Sequence, residues 1–249
     1  MVAKLNDGTP VNVGVYKAYR NEGLSHNQAM AITAEVGREN GFNPNTLFGT
    51  HPDPARDKNG NIIRNVGMLS WNQGRDIQAL NAMRNAGVLG QQSQANLNAQ
   101  AAFSVREMLT GYKGKLRNFL NNPNGSPEQF AQELGRNYVV WAYGQNTIRG
   151  KVPGTRVPFN WQKHDVRRRN HLSSLAAMLG DKSYTPQSGG QVAPQGIGRF
   201  NVADLMKQSA QSAQKPQPLG QFKVSDLQAQ QPQQGIGKFN VADLMKGGG

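Results

Sequence analysis

"SHNQAMAITAEVGRENGFNP", Ser25 to Pro44, spells out a whole helix with both ends marked. Ser25 followed three residues later by Gln28 is a capping box, in which each side chain satisfies a backbone donor of the other. Ala29, Ile32 and Val36 recur at helical spacing and define an apolar face. Gly41 supplies the stop, because glycine takes the left-handed conformation that ends helices without steric cost. Just inside that stop stands Glu39, seven residues after Ile32 and three after Val36. That spacing puts its carboxylate on or beside the buried face.

Outward from this helix the pattern is mainly α. An earlier helix is expected over Val11 to Arg20. From Phe42 to Asn65 helical periodicity disappears, and "NPNTLFGTHPDPARDKNGNIIRN" holds three prolines and the turn dipeptide Asn59-Gly60, the signature of a small irregular β-hairpin lobe. Helices resume over Gln73 to Asn85, Gln94 to Asn121, Ser126 to Tyr143 and His164 to Leu179. The third of these opens with Ser126-Pro127-Glu128-Gln129, a capping box with proline in the first turn. Residues 1–182 are expected to form one helical domain with the β lobe inserted, long enough to bury a substantial core.

Residues 183–249 differ in kind. They are rich in Gln, Pro, Ser and Gly and are expected to form a disordered tail. Within them "GIGRFNVADLMK" (196–207) recurs as "GIGKFNVADLMK" (235–246), with a weaker copy, "LGQFKVSDLQ", at 219–228. Each unit has too few apolar residues to fold alone. Each can lay a short helix on a partner through Phe200, Val202, Leu205 and Met206, through Phe222 and Leu227, or through Phe239, Val241 and Leu244.

The chemistry expected of Glu39 follows from its position. Burial, the C-terminal end of the helix dipole and a like charge one turn earlier at Glu35 all disfavour the ionised form. A carboxyl group still protonated near neutral pH can donate a proton to a leaving oxygen, as glycosidic cleavage requires. Most glycosidases use two carboxylates, and Glu35, Asp53 and Asp57 are the candidates for a second. The alternative for Glu39 is a surface glutamate at a frayed helix end.

Other chemistries lack their residues. The 249 residues include no cysteine, which excludes thiolate catalysis and Cys-based zinc sites. His26, His51, His164 and His171 are not spaced as a zinc pair. "DKNGNIIRNVGM" (57–68) carries glycine at the fourth position and methionine at the twelfth, where a calcium loop needs glycine sixth and glutamate twelfth. No phosphate-cradling glycine loop and no Gly-x-Ser-x-Gly elbow occurs. No metal and no cofactor is expected.

The stretch 39–75 resembles the phage tail lysozyme family, within the wider group of lysozyme-like lytic transglycosylases and goose-type lysozymes. The family pattern runs Glu-Ser-Gly-Phe-Asn-Pro, a variable loop, Gly-Ile-x-Gln-Trp, then Gly-x-Arg. Here Glu39-Asn40-Gly41-Phe42-Asn43-Pro44 departs by Asn for Ser, and Gly67-Met68-Leu69-Ser70-Trp71 by Ser for Gln; Gly74-Arg75 matches the last part without its intervening residue. The good match covers about Gln28 to Leu80. The resemblance implies a lysozyme-like α+β fold, Glu39 as catalytic acid, and a substrate-binding set of Glu35, Phe42, Met68, Ser70, Trp71, Arg75 and Tyr143. The Gln-to-Ser departure removes one expected hydrogen bond to substrate. Trp71 fits either a sugar subsite or the core, and Tyr143, in "VVWAYGQN" (139–146), either the site or a structural role. A second carboxylate is dispensable where the sugar's own substituents assist.

Charge gives the class of partner without choosing among its members. The net charge is +13 and the isoelectric point about 10.2, with 22 of the 28 lysines and arginines in residues 1–182. Such a surface attracts polyanions, and nucleic acid, anionic membrane and bacterial cell wall all qualify; peptidoglycan as first partner, with DNA non-specific, is what the resemblance implies. Arg167 to Arg169 are either a solvated helix face or part of that attraction. No apolar run approaches the ~20 residues of a membrane span, and "MVAKLNDGTP" is not a signal peptide. The combination leads to a phage virion enzyme, made in the host cytoplasm and acting at the periplasm and cell wall. It would cut the N-acetylmuramic acid to N-acetylglucosamine bond to aid genome entry, with the repeats docking on tail or internal virion proteins. The alternative is a non-catalytic tail or ejection protein that binds glycan or DNA. Hydrolysis and transglycosylation are not distinguished.

Overall fold

The computed structural model describes residues 3–56, 59–150 and 154–180. The tail, its repeats and their anchors Phe200, Val202, Leu205, Met206, Phe222, Leu227, Phe239, Val241 and Leu244 lie outside the described residues, as does Asp57.

The chain order is α1 (Val11–Asn21), α2 (His26–Asn40), α3 (Pro44–Leu47), β1 (Thr50–Arg56), β2 (Ile62–Val66), α4 (Arg75–Asn85), α5 (Gln94–Gly111), α6 (Arg117–Asn121), α7 (Pro127–Asn137), β3 (Thr147–Arg149), β4 (Arg156–Pro158) and α8 (Trp161–Leu179). The fold is mainly helical with small antiparallel hairpins, as the sequence led one to expect. β1 pairs with β2 from Thr50↔Val66 to Arg56↔Ile62, and the register shifts after Pro52, where proline cannot donate to the ladder.

Helix α2 is central among the described residues. It packs against α1, α7 and α8, and every residue from Gln28 to Arg38 is buried. A helix covered on all sides needs small side chains, and Ala29, Ala31, Ala34 and Gly37 supply them. A Cβ at Gly37 would lie 2.6 Å from both Phe42 and His171, so this glycine sets how closely α8 approaches.

Several expected boundaries are corrected. The helix expected over Gln94 to Asn121 is two, α5 and α6, broken at "YKGKL", where Gly114 weakens the helix. The one expected to run to Tyr143 ends at Asn137. Val140 (φ 57) and Ala142 (φ 64) beyond it are in the left-handed region, held there by packing of Trp141 that no local propensity foretells. The β3–β4 hairpin was not expected, and α8 begins three residues early, at Trp161. Within α8, Arg168 is only 2% exposed and pairs with Asp165 at 2.8 Å. The Arg167 to Arg169 run is therefore not a uniformly solvated face.

A polar chain ties α1, α4, α5 and α7. The Tyr19 hydroxyl donates to Ser104 Oγ (3.1 Å), which bonds the Tyr138 hydroxyl (2.9 Å), and Tyr138 donates to Glu107 (2.8 Å). Arg75 grips both oxygens of Glu107, at 2.6 and 2.7 Å, with its guanidinium over the rings of Tyr112 and Tyr138.

Glu22, half-buried at the C-terminal cap of α1, has its pKa raised to about 7 by burial, against the pull of Arg106. Below about pH 4.5, its ordinary value, it is protonated folded or unfolded and contributes nothing. As pH rises, the unfolded chain releases the proton first, so stability falls, and the cost is complete above about pH 7. Glu22→Gln is expected to raise stability by about 1–3 kcal/mol at pH 8 and by nothing at pH 4. Thermal melts at the two pH values check this, and an equal gain at both would contradict it.

Candidate active site

The segment "ENGF" (39–42) fixes how α2 ends. Gly41 takes φ 64 and closes α2 through its N–H to Gly37. The Asn40 side chain accepts from Phe42 N–H (2.9 Å) and donates to the Met68 carbonyl (2.8 Å). Phe42, at φ 57, turns down onto His171, the rings edge-to-face at 5.2 Å. The helix end is thereby clamped to the "GMLSW" turn and to α8, and Glu39 stands one residue before the clamp.

The "GMLSW" turn is itself braced from below. Val66 and Trp71 exchange two backbone bonds of 2.9 Å, closing a loop whose corners, Gly67 and Ser70, both have positive φ. Met68 N–H donates to Gln100 Oε1 at 2.8 Å. Gln100, fully buried, also donates to the Leu47 carbonyl and to Asn96. A side chain at Gly67 would overlap Gln100 and the Trp71 ring.

Glu39 is 25% exposed. It lies beside the buried residues of the helix, which presents Glu35 and Arg38 inward. Arg38 touches three partners. Its Nε donates to Glu35 (2.8 Å), its Nη2 to Glu39 (2.5 Å), and its guanidinium lies 4.5 Å from the Trp141 ring centroid. Glu35 is wholly buried. Burial raises its pKa, opposed by Arg38 and Arg168 and reinforced slightly by Glu39. His51 on β1 and His164 on α8 both feel the charge of Glu39, and His51 that of Asp53 as well. Burial lowers the pKa of both histidines. Asp53 accepts from Asn65 (2.9 Å), which in turn accepts from Asn72 (3.0 Å).

The expected substrate set divides. Glu35 and Met68 have no exposed surface and Trp71 has 1%. Trp71 packs edge-to-face on Phe103 at 5.1 Å and belongs to the core. Phe42 is buried beneath His171, and Arg75 is taken up by Glu107. Glu35, Phe42, Met68 and Trp71 are thus enclosed by the protein, whereas Arg75 keeps 27% of its side chain exposed beside its partner. Met68, Trp71 and Arg75 are held against α5 and Phe42 against α8, whereas Glu35 faces inward from α2 itself. Ser70, 8% exposed, bonds His51 at 3.3 Å. Tyr143 remains half-exposed and joins a ring cluster with Trp141 and Trp161 at 5.2 Å each.

Four neighbours of Glu39 or of its cluster carried no motif in the sequence: Arg38, His51, Trp141 and His164. A faint signal existed for two of them. Arg38 stands three residues after one glutamate and next to another, and Trp141 lies in a segment unusually rich in aromatics.

The sequence model of the phage tail lysozyme family matches residues 11–152. The chain belongs to the phage tail lysozyme family. The match takes in α1 to α7, the β1–β2 lobe, Glu39 and Trp141, and ends before α8. No curated protein and no solved structure matched the chain. Membership makes this a phage lysozyme-like protein with a peptidoglycan-degrading function. No helix among the described residues is long and apolar enough to cross a membrane.

Proposed function

We propose that the protein cleaves the glycosidic bond between N-acetylmuramic acid and N-acetylglucosamine in peptidoglycan, with Glu39 as acid and then base. The observation that carries this is the contrast along one helix. Glu35 is sealed, whereas Glu39, one turn on, is open to solvent and within electrostatic reach of histidines from β1 and α8. Glu39 releases Arg38, which keeps Glu35 and Trp141 as partners, and takes up a proton. It donates that proton to the bridging oxygen as the bond from C1 to oxygen breaks. The resulting carboxylate then removes a proton from the nucleophile that bonds to C1. That nucleophile is water in a lysozyme, or the muramic C6 hydroxyl in a lytic transglycosylase.

Mass spectrometry of purified sacculi digested by the full chain tests the reading. Reducing-end muropeptides identify hydrolysis and anhydro-muropeptides identify transglycosylation. No products at any pH from 4 to 8 would leave a glycan-binding virion protein in its place.

The enzyme is carried in the virion, where it opens the wall for genome entry. Residues 1–182 form the catalytic domain and 183–249 a tether whose three repeats dock on tail or internal virion proteins, several weak contacts raising the effective concentration. Deleting residues 196–249 is expected to leave the cleavage rate unchanged and to remove the protein from particles. Immunoblots of purified virions check this, and normal incorporation of the truncated chain would refute docking.

A further inference from the structure

Beyond Glu39, an unbroken series of rings leads away from the site. Arg38, the ion-pair partner of Glu39, stacks on Trp141. Trp141 meets Tyr143 at 5.2 Å and His164 at 6.0 Å. Tyr143 meets Trp161 at 5.2 Å, and Phe159 stacks on His164 at 4.9 Å with the planes 18° apart. Tyr143, Phe159, Trp161 and His164 are each partly exposed. The cluster is thus a surface continuous with the carboxylate rather than a piece of core.

The backbone is shaped to present it. Val140 and Ala142, either side of Trp141, both hold left-handed φ, which is strained for a β-branched valine. Val140 is left 66% exposed while Trp141 turns inward. Strain of this kind persists only where the surroundings over-determine it, and it concentrates at functional sites. Trp141 fits there because residue 135 is glycine, whose Cβ would lie 2.8 Å from the indole nitrogen. Phe159, Trp161 and His164 lie beyond residue 152, outside the family match.

We infer that Tyr143, Phe159, Trp161 and His164, backed by Trp141, form a stacking platform for pyranose rings of the glycan strand on one side of the scissile bond. The occupant is a β-1,4-linked chain of N-acetylated amino sugars. Its rings have flat apolar faces that aromatic side chains cover, and the platform adjoins the carboxylate that would act on that chain. This inference rests on the proposed function for the position of the cut, though glycan binding can be measured without it.

The test uses the full chain carrying Glu39→Gln, titrated with the β-1,4-linked hexamer of N-acetylglucosamine while tryptophan fluorescence is followed. Of the three tryptophans, Trp71 is buried in the core, and the change is expected to come from Trp141 and Trp161; its persistence in Trp71→Phe checks this. Trp161→Ala in this background is expected to weaken binding about tenfold or more, and Trp161→Phe to restore most of it. In the active chain, Trp161→Ala is expected to raise KM on sacculi while kcat stays within about twofold. Trp161 opens α8 from its half-exposed end, and unchanged melting confirms that the variant folds. Hexamer affinity unaffected by both Trp161→Ala and Phe159→Ala would overturn the platform. Normal platform binding with no cleavage by the unmutated chain would overturn the proposed function and leave the platform standing.

Discussion

Glu39→Gln is expected to lower the rate of muropeptide release by about 10²- to 10⁴-fold, the usual contribution of a positioned acid-base group. Glutamine is nearly isosteric, and its carbonyl oxygen can accept from Arg38 Nη2 as the carboxylate does at 2.5 Å. The cap at Gly41 and the Asn40 clamp involve other atoms and remain. Stability is therefore expected to change by no more than about 0.5 kcal/mol, as for a partly exposed site. The loss is one of proton transfer rather than of folding. Dye release from labelled sacculi, beside a thermal melt, measures both quantities. Equal rates for the two proteins would remove Glu39 from the mechanism. A large fall in melting temperature would assign it a structural role instead.

Arg38→Ala is expected to be the most destabilising single change around the site, at about 3–5 kcal/mol near neutral pH. Breaking a buried pair leaves an uncompensated charge, and this costs more than the pair itself is worth. The stranded group is Glu35, wholly buried, with Oε1 already lacking a partner within the protein. Burial raises its pKa, and Arg38 supplies the two largest opposing influences, charge and hydrogen bond. Without Arg38 the shift grows. Below about pH 4.5, the ordinary glutamate value, Glu35 is protonated folded and unfolded, and this part of the penalty vanishes. It returns as pH rises and the unfolded chain ionises. Urea melts at pH 4 and pH 8 should therefore differ for Arg38→Ala. The double variant Arg38→Ala/Glu35→Gln should recover the pH-dependent part, a coupling that a double-mutant cycle measures. A penalty equal at both pH values and untouched by Glu35→Gln would assign the loss to the contact of Arg38 with Trp141.

The two predictions divide the carboxylates of α2 by exposure, which the linear pattern does not contain. Periodicity placed Glu39 on or beside the buried face because it counted the apolar residues Ile32 and Val36 as defining that face. Helix α2 is instead buried all round by α1, α7 and α8, so the apolar stripe is a poor guide to which side is open. Arg38 entered no motif, although it is the side chain that joins Glu35, Glu39 and Trp141.

What the sequence by itself determined is local. The capping boxes at Ser25 and Ser126, the stop at Gly41 and the turn at Asn59-Gly60 depend on bonds between near neighbours or on backbone freedom, and both are written in the order of residues. The family pattern from Glu39 to Arg75 is legible for the same reason. It records a tight clamp of helix end and turn in which Asn40, Gly41, Phe42 and Gly67 each have one conformation to hold. The tertiary structure alone decided that Trp71 and Met68 are buried and that Arg75 is paired with Glu107. It also decided that Arg38 lies over Trp141 and that Trp141 packs near His164 of α8. Those outcomes depend on which faces meet between segments far apart in the chain, 32 residues for Arg75 and Glu107 and more for Arg38 and Trp141, and such packing leaves no period in the sequence to read.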